Sequence, residues 1–389
     1  MKEAVIVSAA RTPIGKCRGL LAPVPAHILG ATAVKEAVKR AQIDPEMIDD
    51  VIFANLMNSE INNMGRMVSL EAGLPVSVPG ITLDRQCAAS LNALAYGAIQ
   101  IMAGFAQTIV VGGVESDSRR TWCLEKTDSA YSVQPPKFVD IHTSPDRLGN
   151  PSMGITAENI AKRYSLTRDE LDSFSVRSHH FATKAWDARR FDEQLIPVSY
   201  KDRKQQDIVI ERDESVRPDC TIESLAALRP CFLKDGIVTA GNSSPMSDGA
   251  GALVLMERSQ AETMRLPILA VFRGYSVAGV DPNYMGLGPI PATQKLLKQT
   301  GLTVDDIDLW ELNEAFAAQS IACMRDIGMD PARVNPNGGA IALGHPLAGS
   351  GAILATKAVY EMQRSKLNNA VITFCVGGGQ GVAVLLSRD

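Results

Sequence analysis

Residues able to do chemistry cluster first around Cys87. The stretch from Ile81 to Gln100 reads ITLDRQCAASLNALAYGAIQ. A short apolar run leads into Asp84-Arg85-Gln86-Cys87, and three small residues follow, Ala88, Ala89 and Ser90. Leu91, Leu94, Ala95, Ala98 and Ile99 then recur at helical spacing. The pattern predicts strand, sharp turn and helix, with Cys87 at the turn. A helix start offers unpaired N–H groups and a partial positive charge. These favour a thiolate over a thiol and make the cysteine a better nucleophile. The small residues leave room beside the sulfur for a substrate. A cysteine taken alone is more often a core residue, so the reading depends on partners elsewhere.

Three C-terminal segments supply them. They are Leu312-Asn313-Glu314-Ala315-Phe316, Gly344-His345-Pro346-Leu347-Ala348-Gly349-Ser350-Gly351, and Cys375-Val376-Gly377-Gly378-Gly379-Gln380-Gly381. Each alone has a structural reading: a histidine before proline in a glycine loop, or a glycine run as a plain turn. With Cys87 they add a histidine, a second thiol and a glycine-rich loop, and the combination is more telling than any one of them.

Strands alternating with helices must position these groups. Ala4 to Ala9, Ile48 to Leu56 and Thr108 to Gly113 read as strands, and Ala31 to Ala41 as a helix. The second half repeats the plan. VDDIDLWEL (304–312) echoes IDDVIFANL (48–56), VITFCVGGG (371–379) echoes TIVVGG (108–113), and the His345 segment is a second turn-then-helix unit. Similar order at similar spacing predicts a duplicated α/β domain with a largely parallel sheet. Between the halves, at about 117–245, the chain becomes polar and loop-like. Two helices are expected there, over MGITAENIAKRY and from Thr167 to Arg190, the second opened by a capping box of Thr167 and Glu170. The basic run Tyr200-Lys201-Asp202-Arg203-Lys204 is a solvated face or a site for a phosphorylated ligand.

Composition excludes several classes. The 389 residues are 46% hydrophobic and 21% charged, as in an ordinary globular protein, and the net charge of −4 gives no reason to expect nucleic acid. Seven cysteines without CxxC pairs and five scattered histidines argue against a metal site or a disulfide framework, and fit a reducing cytoplasm. No apolar run reaches membrane-spanning length, the N-terminal MKEAVIVSAARTPIGK reads as a strand and not a signal peptide, and the C-terminal Ser387-Arg388-Asp389 carries no targeting tail.

The whole chain resembles the thiolase family. The resemblance runs from AVIVSAARTPIGK through MGITAEN, VTAGNSSPMSDGA, MGLGPIPA, NEAFA and NPNGGAIALGHPLAGSG to CVGGGQGVAVLL. It implies an α/β fold with a duplicated five-layer αβαβα core and an inserted loop domain. The N-terminal domain would span 1–259, including the loop domain at about 117–245, and the C-terminal domain 267–389. It further implies acyl transfer between coenzyme A thioesters through a cysteine-linked acyl-enzyme, in a homodimer or homotetramer. Coenzyme A would be substrate and product, with no tightly bound cofactor and no metal. By the same resemblance Cys87 is the nucleophile. His345 is the base that then stabilises an enolate oxygen with a water held by Asn313, and Cys375 is the acid or base at the α-carbon. The N–H groups of Cys87 and Gly377 form the other oxyanion hole. Arg217, Leu228 and Ser244 fall where coenzyme A is contacted, and Met153, Met285 and Phe316 where the acyl pocket is lined.

The chain departs from the family pattern near both catalytic turns. Cys-Gly/Ser-Ser-Gly is here Cys87-Ala88-Ala89-Ser90, so a hydroxyl is lost at 89 and a glycine becomes Ser90, with added bulk expected to narrow the pocket or shift its backbone. The usual Asn three residues before the nucleophile is Asp84, and Gly-Ala-Ser-Gly after His-Pro-Leu is Ala348-Gly349-Ser350-Gly351. Acetoacetyl-specific members carry a histidine where this chain has Ser152. The expected activity is acetyl-CoA C-acetyltransferase, with 3-ketoacyl-CoA thiolysis of broader chain length as the alternative. A non-catalytic acyl-CoA or lipid-binding relative would lack Cys375 or His345. A Cys-His hydrolase would have no use for a second cysteine.

Overall fold

The computed structural model describes residues 2–127, 129, 131 and 133–388. Met1 and Asp389, which end the two expected domains, lie outside the described residues, as do Asp128, Ala130 and Ser132 of the inserted segment. The first half contains β1 (Ala4–Arg11), β2 (Gly15–Lys16), α1 (Ala26–Ala41), β3 (Asp50–Ala54), α2 (Met64–Glu71), β4 (Ile81–Leu83), α3 (Ala89–Ala103) and β5 (Thr108–Ser116). The insertion contributes α4 (Met153–Arg163), α5 (Arg168–Asp187), β6 (Val198–Lys201), β7 (Asp207–Ile210) and α6 (Ile222–Ala226). β8 (Ser247–Glu257) closes the first half, and α7 (Arg258–Thr263) leads out of it. The second half has β9 (Ala270–Gly279), α8 (Pro289–Thr300), β10 (Leu309–Leu312), α9 (Ala317–Ile327), α10 (Ala340–Leu343), α11 (Ser350–Ser365), β11 (Asn369–Val376) and β12 (Gln380–Ser387).

Strand order runs β4-β3-β5-β8-β1 and then β9-β12-β11-β10, the halves joined by a short antiparallel pairing of Val5 with Val271 and Ile6 with Ala270. The duplication shows in the pairings. β3 lies parallel to β5, β5 antiparallel to β8 and β8 antiparallel to β1. β10, β11, β12 and β9 repeat that series. The expectation of a largely parallel sheet therefore fails: the first half has two parallel pairs, β4–β3 and β3–β5, and the second has one, β10–β11, while each half also carries two antiparallel pairs made by its returning strands.

The echo between halves holds, but in a different register. The Asp49 carboxylate accepts the N–H groups of Gln107 and Thr108, and Asp308 accepts those of Asn368 and Asn369. Asp49 and Asp308 are thus the equivalent residues, and the match of 48–56 to 304–312, which sets Asp50 on Asp306, is three residues out. Asp305 and Asp306 belong to the turn before the strand, where Asp306 closes a capping box on Thr303. The glycines slip likewise: Gly112 pairs with Phe53 and Thr373 with Leu312.

Both faces of the strands are covered, so alternate residues enter different cores. Ala4 and Ile6 of β1 face one apolar cluster, Val5 and Val7 another. Alanine-rich α3 and α11 pack on each other and on strands of both halves, forming the middle layer. α1 and α2 cover the outer face of the first half, and α8 and α9 that of the second. The result is the five-layer αβαβα core. The insertion falls between β5 and β8. Its α5 has the capping box expected from Thr167 and Glu170. The basic run forms part of the β6–β7 hairpin, where Lys201 pairs with Asp207 and Tyr200 donates to the Leu20 carbonyl. Val198 and Ile210 anchor that hairpin to the outer core.

Candidate active site

Cys87 sits in a 3-10 turn, Gln86–Ala88, between β4 and α3. Asp84 makes the turn: its carboxylate accepts the Gln86 N–H at 2.7 Å and supports a φ of 45° at Gln86. His345 lies between α10 and α11, after Gly344 at φ 114°, where a side chain would strike Ile14 and Ser247. Cys375 is the penultimate residue of β11, and Asn313 directly follows β10. Residues 241–247, at the end of the insertion, tie these loops together. Ser243 bridges to Phe316 and Met246 to His345, and Ser247 accepts the His345 N–H.

The loops enclose a cavity of about 410 Å³ walled by Cys87, His345, Cys375, Gly377, Ser152, Met153, Met285, Phe316 and Ser244. Leu56, Met57, Phe232, Met246 and Leu347 complete a largely apolar lining. The expected catalytic thiols and histidine and all three expected pocket residues thus share one chamber. Asn313 stands behind that wall, not in it. Its N–H donates to the Thr373 carbonyl at 3.0 Å. Both of its amide atoms, like Nε2 of His345, are buried with no hydrogen-bond partner among the described residues.

The expected coenzyme A contacts divide. Ser244 lines the cavity, its hydroxyl donating to the Ala315 carbonyl. Arg217 lines a smaller cleft with Lys16, His179 and Ser215, which shares Ser243 and Pro245 with the cavity wall. Leu228 lines neither. It packs under Gly241, a residue of the cleft wall, where a side chain would meet it at 2.6 Å.

Burial dominates the electrostatics. It pushes the Cys87 thiol up to about 12, although the N–H groups of Cys87 itself and of Gly377 pull the other way. The expectation that the turn favours a thiolate is therefore corrected: two backbone dipoles do not offset the loss of water around a charged sulfur. Burial also lowers the His345 imidazole to about 4 and raises the Cys375 thiol well above its ordinary value, with neighbouring Cys87 adding to the latter. All three groups are neutral near pH 7. Nδ1 of His345 lies 2.6 Å from the Ser350 hydroxyl, and the tautomer that donates there leaves Nε2 as a proton acceptor. Nearby Glu115, raised to about 8 by burial, accepts the N–H of Met57 and the amide of Asn55.

Sequence reasoning missed Ser350, Phe232 and Glu115. Ser350 had a signal in its place five residues after His345, at a helix start. Phe232 covers Gly154 and meets Phe316 edge to face at 6.2 Å, a contact between distant segments with no local signature.

These features fit an enzyme of two matching α/β halves with its polar groups gathered on one cavity, and the chain belongs to the thiolase family. Residues 4–259 match the family described as Thiolase, N-terminal domain, and residues 266–388 match Thiolase, C-terminal domain. The chain is 42% identical to an acetyl-CoA acetyltransferase of Pseudomonas aeruginosa, over 100% of both chains. It is 44% identical to a 3-ketoacyl-CoA thiolase of Bacillus subtilis, over 98% of each. The crystal structure of the Bacillus anthracis acetyl-CoA acetyltransferase superposes with a TM-score of 0.95 at 39% identity, covering 100% of this chain and 99% of that one.

Proposed function

We propose that the protein catalyses reversible acyl transfer between coenzyme A thioesters, joining two acetyl-CoA into acetoacetyl-CoA and coenzyme A, or running the reverse thiolysis. The observation that carries this reading is the pair of thiols, Cys87 and Cys375, on one cavity with the unpartnered Nε2 of His345. A hydrolase needs one thiol; breaking a carbon–carbon bond needs a nucleophile and a separate acid.

In thiolysis Cys87 attacks the ketone carbon as its proton passes to His345. The N–H groups of Cys87 and Gly377 hold the oxyanion, and such a donor contributes on the order of 10²–10³ in rate. The carbon–carbon bond then breaks, leaving an acyl group on Cys87 and the enolate of acetyl-CoA. His345 and a water held by Asn313 stabilise the enolate oxygen while Cys375 protonates the α-carbon. The thiol of incoming coenzyme A returns a proton to Cys375, its sulfur displaces Cys87 from the acyl group, and the released Cys87 sulfur regains its proton from His345. Ser244 and the Arg217 cleft receive coenzyme A, with Arg217 and Lys16 suited to its phosphates.

A second reading, thiolysis of longer 3-ketoacyl chains, is favoured by one feature. The cavity shares Asp117, Arg120 and Met246 with an outer cleft of about 740 Å³ bounded by Trp122, Phe138, Val139 and Ile141. Ser152 on the cavity wall is consistent with that wider range. Thiolysis of acetoacetyl-CoA against 3-ketohexadecanoyl-CoA tests both: faster turnover of the short chain supports the acetyltransferase, faster turnover of the long chain the broader thiolase, and no turnover of either sinks both. The two-domain division with its loop domain, a homodimer or homotetramer, and a cytoplasmic setting belong to the same proposal. The edge position of β4 and the exposed side chain of Ile81 support assembly.

A further inference from the structure

Ser90 is buried where α3 and α11 come closest. A side chain at Gly351 of α11 would sit 2.3 Å from the Leu91 backbone nitrogen and 2.8 Å from the Ser90 hydroxyl, and one at Gly113 of β5 would sit 2.7 Å from the Ser90 Cβ. Two glycines therefore make the space that Ser90 fills. Its hydroxyl accepts the Ala352 N–H at 2.9 Å. Ala352 is in the first turn of α11, whose N–H groups have no partner within the helix, and Gly349 at the cap position provides no side chain. The bulk expected to narrow the substrate pocket points away from it, and Ser90 is not among the cavity-wall residues.

We infer that Ser90 is a positioning residue for His345: as a cap supplied by the nucleophile's own helix, it fixes the start of α11, where Ser350 orients the imidazole. Ser90 follows Cys87 by three residues, and Ser350 is the first residue of α11. One hydrogen bond between the helices thus sets the base against the nucleophile. The neighbouring departures from the family pattern meet at the same crossing. Ala89, which lacks the usual hydroxyl, and Ala348, exchanged with Gly349, pack together with Ala54 in one small buried cluster. The hydroxyl lost at 89 and the one gained at 90 are two parts of a single repacking.

This inference rests on the acyl-transfer reading only for the roles of Cys87 and His345. Ser90→Ala removes the acceptor and keeps a good helix former. The expected result is a fall in kcat of about tenfold with KM within about twofold, since a small misplacement of a base costs rate more than binding. Alkylation of Cys87 by iodoacetamide at pH 7 should slow in parallel. Adding Ser90→Ala to Ser350→Ala should cost nothing further, because both act through one imidazole. Ser90→Cys, close in shape and a weak acceptor, should restore part of the rate, and carries the same comparison if the alanine variant does not fold. A Ser90→Ala enzyme with lowered melting temperature but unchanged kcat and alkylation, or losses that multiply with Ser350→Ala, would overturn the inference. Alkylation needs no acyl transfer, so a wild-type protein inert toward both acetoacetyl-CoA and 3-ketohexadecanoyl-CoA whose Cys87 still responds to Ser90 would sink the functional reading and leave this one standing.

Discussion

The Cys87 turn and the His345 turn occupy matching places in the two halves, each leading into a middle-layer helix, yet each supports its residue differently. Around Cys87 the groups that meet the reactive atom are backbone: the N–H groups of Cys87 and Gly377 face the sulfur, while the Asp84 carboxylate holds only the turn beneath it. Around His345 the support is side chain: Ser247 holds the main chain and Ser350 holds Nδ1. Burial acts on both and drives them in opposite directions, the thiol to about 12 and the imidazole to about 4. The same loss of water thus keeps a potential anion and a potential cation neutral. The lesson is that burial sets this pair as thiol and imidazole, so a reaction through them, as proposed above, has to move the proton as the bond forms.

Removing the nucleophile is the strongest attack on that comparison. Cys87→Ser should lower thiolysis by on the order of 10⁴ or more, with no acyl-enzyme seen by mass spectrometry and an unchanged melting profile. Normal turnover would refute the assigned mechanism. Next, Cys375→Ser should slow exchange of the acetyl-CoA α-protons by about 10³ while acylation of Cys87 changes less than about tenfold. Equal losses would mean that the thiols do not divide the work. On the His345 side, Ser350→Ala should cost on the order of 10² in kcat by freeing the tautomer.

The pH dependence sharpens the contrast further. Alkylation of Cys87 should rise about tenfold per pH unit between about pH 6 and 9 without a plateau, as expected of a thiol. A plateau below pH 7 would reveal a preformed ion pair. On the acid side the folded-state value of His345 lies below that of the unfolded chain, near 6.5, so the unfolded chain takes up its proton first. Stability is therefore lost as pH falls from about 6.5 toward about 4. His345→Asn should flatten that slope in urea titrations. The smallest effect separates two of the three expected coenzyme A contacts: Arg217→Ala should raise the KM for coenzyme A about three- to tenfold, and Leu228→Ala less than about twofold.

The chemistry was more legible in the sequence than its supports. Cys87 and His345 stand in turns rich in small residues, Cys375 stands at the end of β11 just before the glycines at 377–379, and the chain places all three on one cavity. Helix α5 could be read from its capping box because that signal is local. The register of the repeat could not, since Asp49-Asp50 resembles Asp305-Asp306 until the hydrogen bonds of Asp49 and Asp308 identify the true equivalents. Ser90, Phe232 and Glu115 act on residues far away in sequence, and nothing beside them announces the partner. The state of Cys87 was misread for the same reason: the turn is local, whereas the burial that outweighs it is made by the whole cavity.

The hairpin joining β11 to β12 closes through the glycines at 377–379, while the equivalent strands β5 and β8 are joined by everything from 117 to 246. Chain-closure entropy grows only with the logarithm of length, about 0.6 kcal/mol per doubling, so the longer connection costs about 3 kcal/mol more. The β5–β8 ladder is in register along its length, from Thr108 opposite Met256 to Ser116 opposite Asp248. The core therefore tolerates a long excursion at that hairpin for little energy, whereas the other hairpin is held short by the backbone it must present at the sulfur. The long excursion nonetheless comes back to the short hairpin: a side chain at Gly378 would sit 2.6 Å from the Thr143 carbonyl of the insertion, so length added at one connection is free to shape the space over the other.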